Sequence, residues 1–171
     1  MINEMICHAR SKNNASKYVL LGLGGTSLLF VLAAMMTPRY SGLVWSVAFI
    51  FIVSSIYVYT RYVGSEYTYG IIDGAGRPSF TVGMKVGKTE RTLSRLDLDA
   101  ITEVKKLTGK EYRAYKCEKG VLKYTYFPTM FPDEVYLVSI RSNYEQADVF
   151  VEVDERFAEA LSSYSASDFE M

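Results

Sequence analysis

One histidine, His8, and two cysteines, Cys7 and Cys117, stand among 171 residues, and that scarcity excludes much chemistry. Beyond position 8 the chain has no imidazole, so neither a Ser-His-Asp nor a Cys-His arrangement can form in its larger, C-terminal part. The cysteines lie far apart and outside any CxxC pair. That removes a disulfide framework and a structural zinc motif, and they read as reduced thiols of a reducing compartment. The Cys7-His8 dipeptide offers too few donors for a metal, on an arm expected to be disordered. No GxxxxGK[ST] occurs, and Gly22-Leu23-Gly24-Gly25 falls inside an apolar run where it cannot cradle phosphate. Asp97 and Asp99, two apart near a presumed strand end, read as solvated acids rather than a cation site. The expectation is a chain that is no enzyme and carries no metal and no cofactor.

Charge is also missing where it is normally spread. From Tyr18 to Thr60 the sole charged residue is Arg39, although 22% of the whole chain is charged. Two apolar runs result, 18–37 and 42–60, each near the roughly 20 residues a helix needs to cross about 30 Å of hydrocarbon. A signal peptide has a shorter apolar region, and a second run would not follow at once. The linking residues Thr37 to Gly42 include Pro38 and Gly42, enough for a tight turn but not for a domain. Arg10, Lys12 and Lys17 precede the first run and Arg61 follows the second, against Arg39 in the turn. By the positive-inside bias both termini are expected in the cytoplasm, as a multi-pass protein of the cell membrane. Tyr18, Trp45, Tyr57, Tyr59 and Tyr62 fall near the run ends, where amphipathic rings prefer to lie. Gly22, Gly24 and Gly25 are either a close-packing face for the hairpin, opposite Ser54 and Ser55, or ordinary membrane-helix glycines. The expected organisation is a cytoplasmic arm (1–17), a two-helix hairpin (18–60) and a β domain (61–171).

Past Arg61 the apolar runs become short and alternating. Strands are expected at 66–72, 79–86, 92–96, 101–107, 120–127, 135–140 and 147–153. The 101–107 segment has apolar residues at 101, 104 and 107, a spacing that also fits a helical turn. After them Asp154 can cap a helix whose Phe157, Ala158, Leu161 and Tyr164 share one face. Such a stripe needs an apolar opening in a sheet to cover.

This order resembles the bacterial membrane-flanked PH-like domain proteins. The local likeness is Thr92-Leu93-Ser94-Arg95-Leu96-Asp97-Leu98-Asp99-Ala100-Ile101-Thr102-Glu103-Val104, similar to that family's strand–Asp–x–x–Ile–x–x–Val stretch. The resemblance implies an α+β membrane protein. A transmembrane helical hairpin leads into a mostly antiparallel, bent barrel or sandwich closed by a C-terminal amphipathic helix. Two departures stand out: Gly109 to Lys119 is longer and more basic than the pattern, and the usual Thr-Asp/Asn-Arg turn after the first strand is absent. A shared scaffold carries over no ligand and no activity.

One further feature is charge segregation. Lys105, Lys106, Lys110, Arg113, Lys116, Lys119 and Lys123 face only Glu111 and Glu118, a net of +5, while Asp133 onward has ten acids against two bases, a net of −8. The basic stretch is a candidate contact for anionic lipid headgroups; equally, it can be a solvated loop balancing the acidic tail. Nucleic acid is not expected, because the domain has no net positive charge to release counterions. The aromatic run Tyr124 to Pro132 is a core strand with its loop, or an exposed partner patch. The leading expectation is therefore a non-catalytic, membrane-anchored interaction module that binds a protein partner or anionic lipid. The alternatives are an accessory or regulatory subunit of a membrane transporter or envelope-enzyme complex, and a membrane enzyme with a cleft not visible in one dimension.

Overall fold

The computed structural model of the protein describes residues 5–11, 14–37, 41–74, 77–118, 120–141 and 146–166. Helix α1 (Ala15–Met36) and helix α2 (Ser41–Val58) form a hairpin, and α2 runs on through one π-helical turn, Tyr59–Val63. The apolar stretches Ala15–Met36 and Gly42–Val63 have 22 residues each, long enough to cross a membrane at about 1.5 Å per residue. Neither has a polar stripe, and Leu21, Leu28, Met36, Leu43, Phe49 and Ile50 are all exposed. A core helix of a water-soluble protein would bury such a surface. Ser27, Ser46, Ser55 and Thr60 donate their hydroxyls to carbonyls of their own helix, so these four polar groups need no outside partner.

The helices meet through Phe30 and Phe51, stacked at 5.6 Å, with Ala34 and Ala48 buried. The glycine packing face is not what joins them. A Cβ on Gly22, Gly24 or Gly25 would meet nothing within 4 Å, so these positions leave room that the partner helix does not use.

Among the described residues eight strands build two four-stranded sheets. The first holds β1 (Met5–Arg10), β2 (Ser65–Gly74), β3 (Arg77–Val86) and β4 (Thr89–Asp97) in that order, all antiparallel. The second holds β5 (Ile101–Thr108), β6 (Leu122–Tyr126), β7 (Glu134–Arg141) and β8 (Gln146–Val151) in the order β5-β7-β8-β6. Its β6–β8 pair is parallel, an exception in an otherwise antiparallel domain. The seven strands expected after the hairpin are all there, and the 101–107 segment is strand rather than helix.

The arm corrects the expected organisation. Residues 5–10 are not a separate disordered piece but the edge strand of the first sheet, paired from Met5↔Ile71 to Arg10↔Glu66. Met5, Cys7 and Ala9 pack toward the core while Ile6, His8 and Arg10 point to solvent. Without β1, the edge of β2 would present a row of exposed backbone donors and acceptors. An Arg10–Glu66 ion pair closes its end, and the His8 ring meets Thr68 Oγ1 at 3.2 Å. At the other side of the sheet, Gly87 takes φ +60° in the tight turn from β3 to β4, a conformation that L side chains resist.

The core lies between the sheets and under the last helix, α4 (Glu155–Ala166). Tyr69 and Phe80 from the first sheet, Val138 and Val151 from the second, and Phe157 and Leu161 from α4 are all fully or nearly fully buried. Asp154 caps α4 as its position suggests, accepting the Phe157 N–H at 2.8 Å. The second sheet is also covered on its outer face. Leu107, Phe127, Val135, Leu137 and Phe150 form a second cluster there with Tyr112. Tyr112 belongs to helix α3 (Gly109–Cys117), so the basic insertion is a helix and not a solvated loop.

Two outcomes follow for full-length protein in detergent. Leu161→Ala should cost about 2–5 kcal/mol and lower the melting temperature by several degrees or more, followed by near-ultraviolet circular dichroism. Replacing residues 5–10 with a Gly/Ser segment should expose the β2 edge. Amide exchange at 66–71 should then rise well above that at 135–140; unchanged protection would mean β1 is dispensable.

Candidate functional site

Helix α3 begins with a capping box. The Thr108 side chain accepts from the Glu111 N–H, and the Glu111 carboxylate accepts from the Thr108 N–H at 2.8 Å. The Thr108 N–H and the Thr108 hydroxyl both donate to the Glu111 carboxylate, each at 2.8 Å, and hold its carboxyl below the usual range. Gly109 opens the helix because nothing larger fits: a Cβ there would overlap the Pro132 carbonyl oxygen. Its N–H donates to the Asp133 carbonyl at 2.7 Å, fastening the helix start to the loop before β7.

The seven bases of the stretch do not form one surface. Lys105 and Lys106 are exposed on β5, and Lys106 pairs with Glu134 at 2.8 Å. Lys110, Arg113 and Lys116 recur every third residue along one exposed flank of α3. Lys123 is turned inward: its ammonium donates to the Tyr115 and Glu118 carbonyls at 2.5 and 2.7 Å. It thereby satisfies the C-terminal end of α3 and lies over the Tyr115 ring at 4.5 Å. Lys119 falls outside the described residues.

Beneath α3 sits a cleft of about 270 Å³, lined by Tyr62, Tyr112, Arg113, Lys116, Thr125, Phe127, Met130, Phe131, Pro132 and Asp133 among others. Its floor is the buried pair Tyr112 and Phe127, edge to face at 5.5 Å. Tyr62 contributes the wall from the last turn of the α2 stretch. That turn is locked to the domain because Arg61 donates to the Thr125 carbonyl at 2.6 Å and stacks near the Tyr62 and Tyr67 rings. The exposed Arg113 and Lys116 line the cleft from α3, and the exposed Asp133 lines it from the loop before β7. The aromatic run is split by this arrangement: Phe127 is 2% exposed, Phe131 58%. A second groove, about 410 Å³, separates the facing edges of β4 and β6, with Leu93, Leu96, Tyr124 and Tyr126 along it.

Two buried acids are bound up in the fold. Asp148 accepts from Ser139 at 2.8 Å and from Tyr115 at 2.9 Å; Glu152 accepts from Thr129 at 2.6 Å. Among the described residues no three His, Cys, Asp or Glu side chains come together as metal ligands. Asp97 and Asp99 both point to solvent. Of the cleft, the sequence singles out Arg113 and Lys116 as bases, Tyr62 as a ring at a span end and Phe131 within the aromatic run, but nothing in it joins them or adds Asp133, because they come from separate segments. The Thr108-x-x-Glu111 spacing was the available sign of α3.

The hydrogen bond to Asp148, followed by burial, pushes the Tyr115 phenol up to about 12. Burial drives Tyr69 up further. A raised phenol pKa favours the folded state fully below pH ~10, where unfolded tyrosine is still neutral, and that stability drains away as pH rises through the folded value. The domain should therefore weaken between pH ~10 and 12. Tyr115→Phe should flatten that part of the pH–stability curve. At neutral pH it should cost about 1–3 kcal/mol, because buried Asp148 loses a donor. An unaltered alkaline slope would place the loss at Tyr69, Tyr126 and Tyr136, whose phenols burial also raises.

Residues 3–171 fit a family described as Bacterial PH-like domain (DUF6106). No curated protein and no solved structure matches the chain. The match takes in β1, the helical hairpin, both sheets and α4 together, so the resemblance carried by Thr92 to Val104 extends over the whole fold: the chain belongs to the bacterial PH-like domain family.

Proposed function

We propose that this protein is a non-catalytic, membrane-anchored interaction module, with α1 and α2 spanning the cell membrane and the PH-like domain at its cytoplasmic face. The β1–β2 ladder carries this reading. β1 precedes the hairpin and β2 follows it, yet they pair over six residues. If α1 and α2 cross a bilayer, the chain must return to its starting side for that ladder to form. The exposed apolar surface of both helices favours lipid as their surroundings. Arg10, Lys17 and Arg61 on the ladder side favour the cytoplasm.

The non-catalytic part is supported by how the titratable groups are employed. Asp148 and Glu152 each accept a hydroxyl inside the fold, and the shifted tyrosines owe their shifts to burial and to structural bonds. The remaining surface, α3 with its cleft, suits binding to a protein or to anionic lipid.

Thiol labelling tests the placement. Cys117 is exposed at the end of α3. A membrane-impermeant maleimide should leave it unmodified in intact cells and react once the membrane is permeabilised. With both native cysteines replaced by Ser, Ser41→Cys at the start of α2 should react from outside. Labelling of Cys117 in intact cells would reverse the orientation.

A further inference from the structure

We infer that the cleft beneath α3 is a site for the headgroup of an anionic phospholipid drawn from the same bilayer in which the hairpin is anchored, an inference that rests on the membrane placement proposed above. Its position is the first argument. Tyr62 is both a wall of the cleft and the next-to-last residue of the apolar stretch Gly42–Val63. A span's final turn lies at headgroup depth, where tyrosine rings gather. The cleft therefore opens where headgroups are, and Arg61, bonded to Thr125, fixes that depth relative to the domain.

Charge is the second argument. Arg113, whose Nε donates to the Gly109 carbonyl at 3.0 Å and leaves its terminal nitrogens for a ligand, lines the cleft with Lys116 and Asp133, a net of one positive charge among the three. A phosphodiester carries one negative charge, and an arginine fork with a lysine point charge is a suitable pair for its oxygens. Shape is the third. About 270 Å³ is below the roughly 300–1,000 Å³ typical of pockets that enclose a whole drug-sized ligand. It suits a headgroup whose chains remain outside. Phe131, more than half exposed beside the opening, offers those chains an apolar contact. A protein partner would need no such coincidence of the cleft with the end of a span.

The experiment uses full-length protein in an uncharged detergent, with bound molecules counted by native mass spectrometry. Dioctanoyl phosphatidylglycerol should bind more tightly than dioctanoyl phosphatidylcholine, and glycerol phosphate much more weakly than either. Arg113→Gln with Lys116→Gln should weaken phosphatidylglycerol by about tenfold to thirtyfold. Lys85→Gln with Lys88→Gln, two exposed bases on the first sheet, should leave it unchanged. Equal binding of the two lipids, or a loss shared equally by both double variants, overturns the site. Glycerol phosphate binding as tightly as the lipid overturns the bilayer as its source. Each variant is also washed with alkaline carbonate in native membranes. Release of the parent protein by that wash would sink the anchoring itself, whereas retention with no lipid preference sinks the cleft alone.

Discussion

The Tyr69 hydroxyl is the point on which the two halves of the domain depend. Among the described residues no backbone ladder joins the first sheet to the second, so their union rests on side chains. Tyr69 rises from the centre of β2, fully buried, donates to the Tyr126 carbonyl at 2.5 Å and accepts the Glu152 N–H at 3.3 Å. It thus ties β2 to the end of β6 and to the strand exit that leads into α4. A buried hydroxyl must find partners, and here the partners are backbone groups of the opposite sheet. Phe80 lies along the Tyr69 ring, and Phe157 of α4 packs on Phe80, so the capping helix inherits its place from the same contact.

The second sheet differs from the first in being covered on both faces. In β7, Val138 and Ile140 turn to the shared core while Val135 and Leu137 turn to α3. Asp148 and Ser139 sit among the residues on the α3 side, and Tyr115 reaches down to complete that pair. The helix is therefore a structural lid whose outer flank still displays charge. Of the bases nearby, Lys123 holds the end of the helix, Lys106 meets Glu134, and Arg113 and Lys116 border the cleft.

Local signals were legible in the sequence and distant ones were not. The apolar runs, the seven later strands and α4 each declare themselves within a dozen residues, by period or by a cap such as Asp154. β1 does not, because Met5 to Arg10 becomes a strand only through partners at 66–71. α3 has two aromatic anchors, Tyr112 and Tyr115, among polar residues, too sparse a stripe to outweigh its charge; its capping box was the overlooked sign. Glycine content suggested where the hairpin packs, but Phe30, Phe51, Ala34 and Ala48 do it instead. The cleft was readable residue by residue but not as one site: Arg113 and Lys116 share a helix, while Tyr62 and Phe131 arrive from elsewhere in the chain.

The β1–β2 ladder also imposes an order in time. As the chain is made, residues 5–10 emerge well before residues 65–71, their partners. At about 5–20 residues per second the wait is roughly 3–13 s, during which both helices are synthesised. In a bilayer, a hairpin that inserted only one helix would strand β1 and β2 on opposite sides and leave the edge of β2 open. If the hairpin spans a bilayer, the completed sheet therefore requires both helices to have crossed, and a half-inserted chain leaves the β2 edge unpaired.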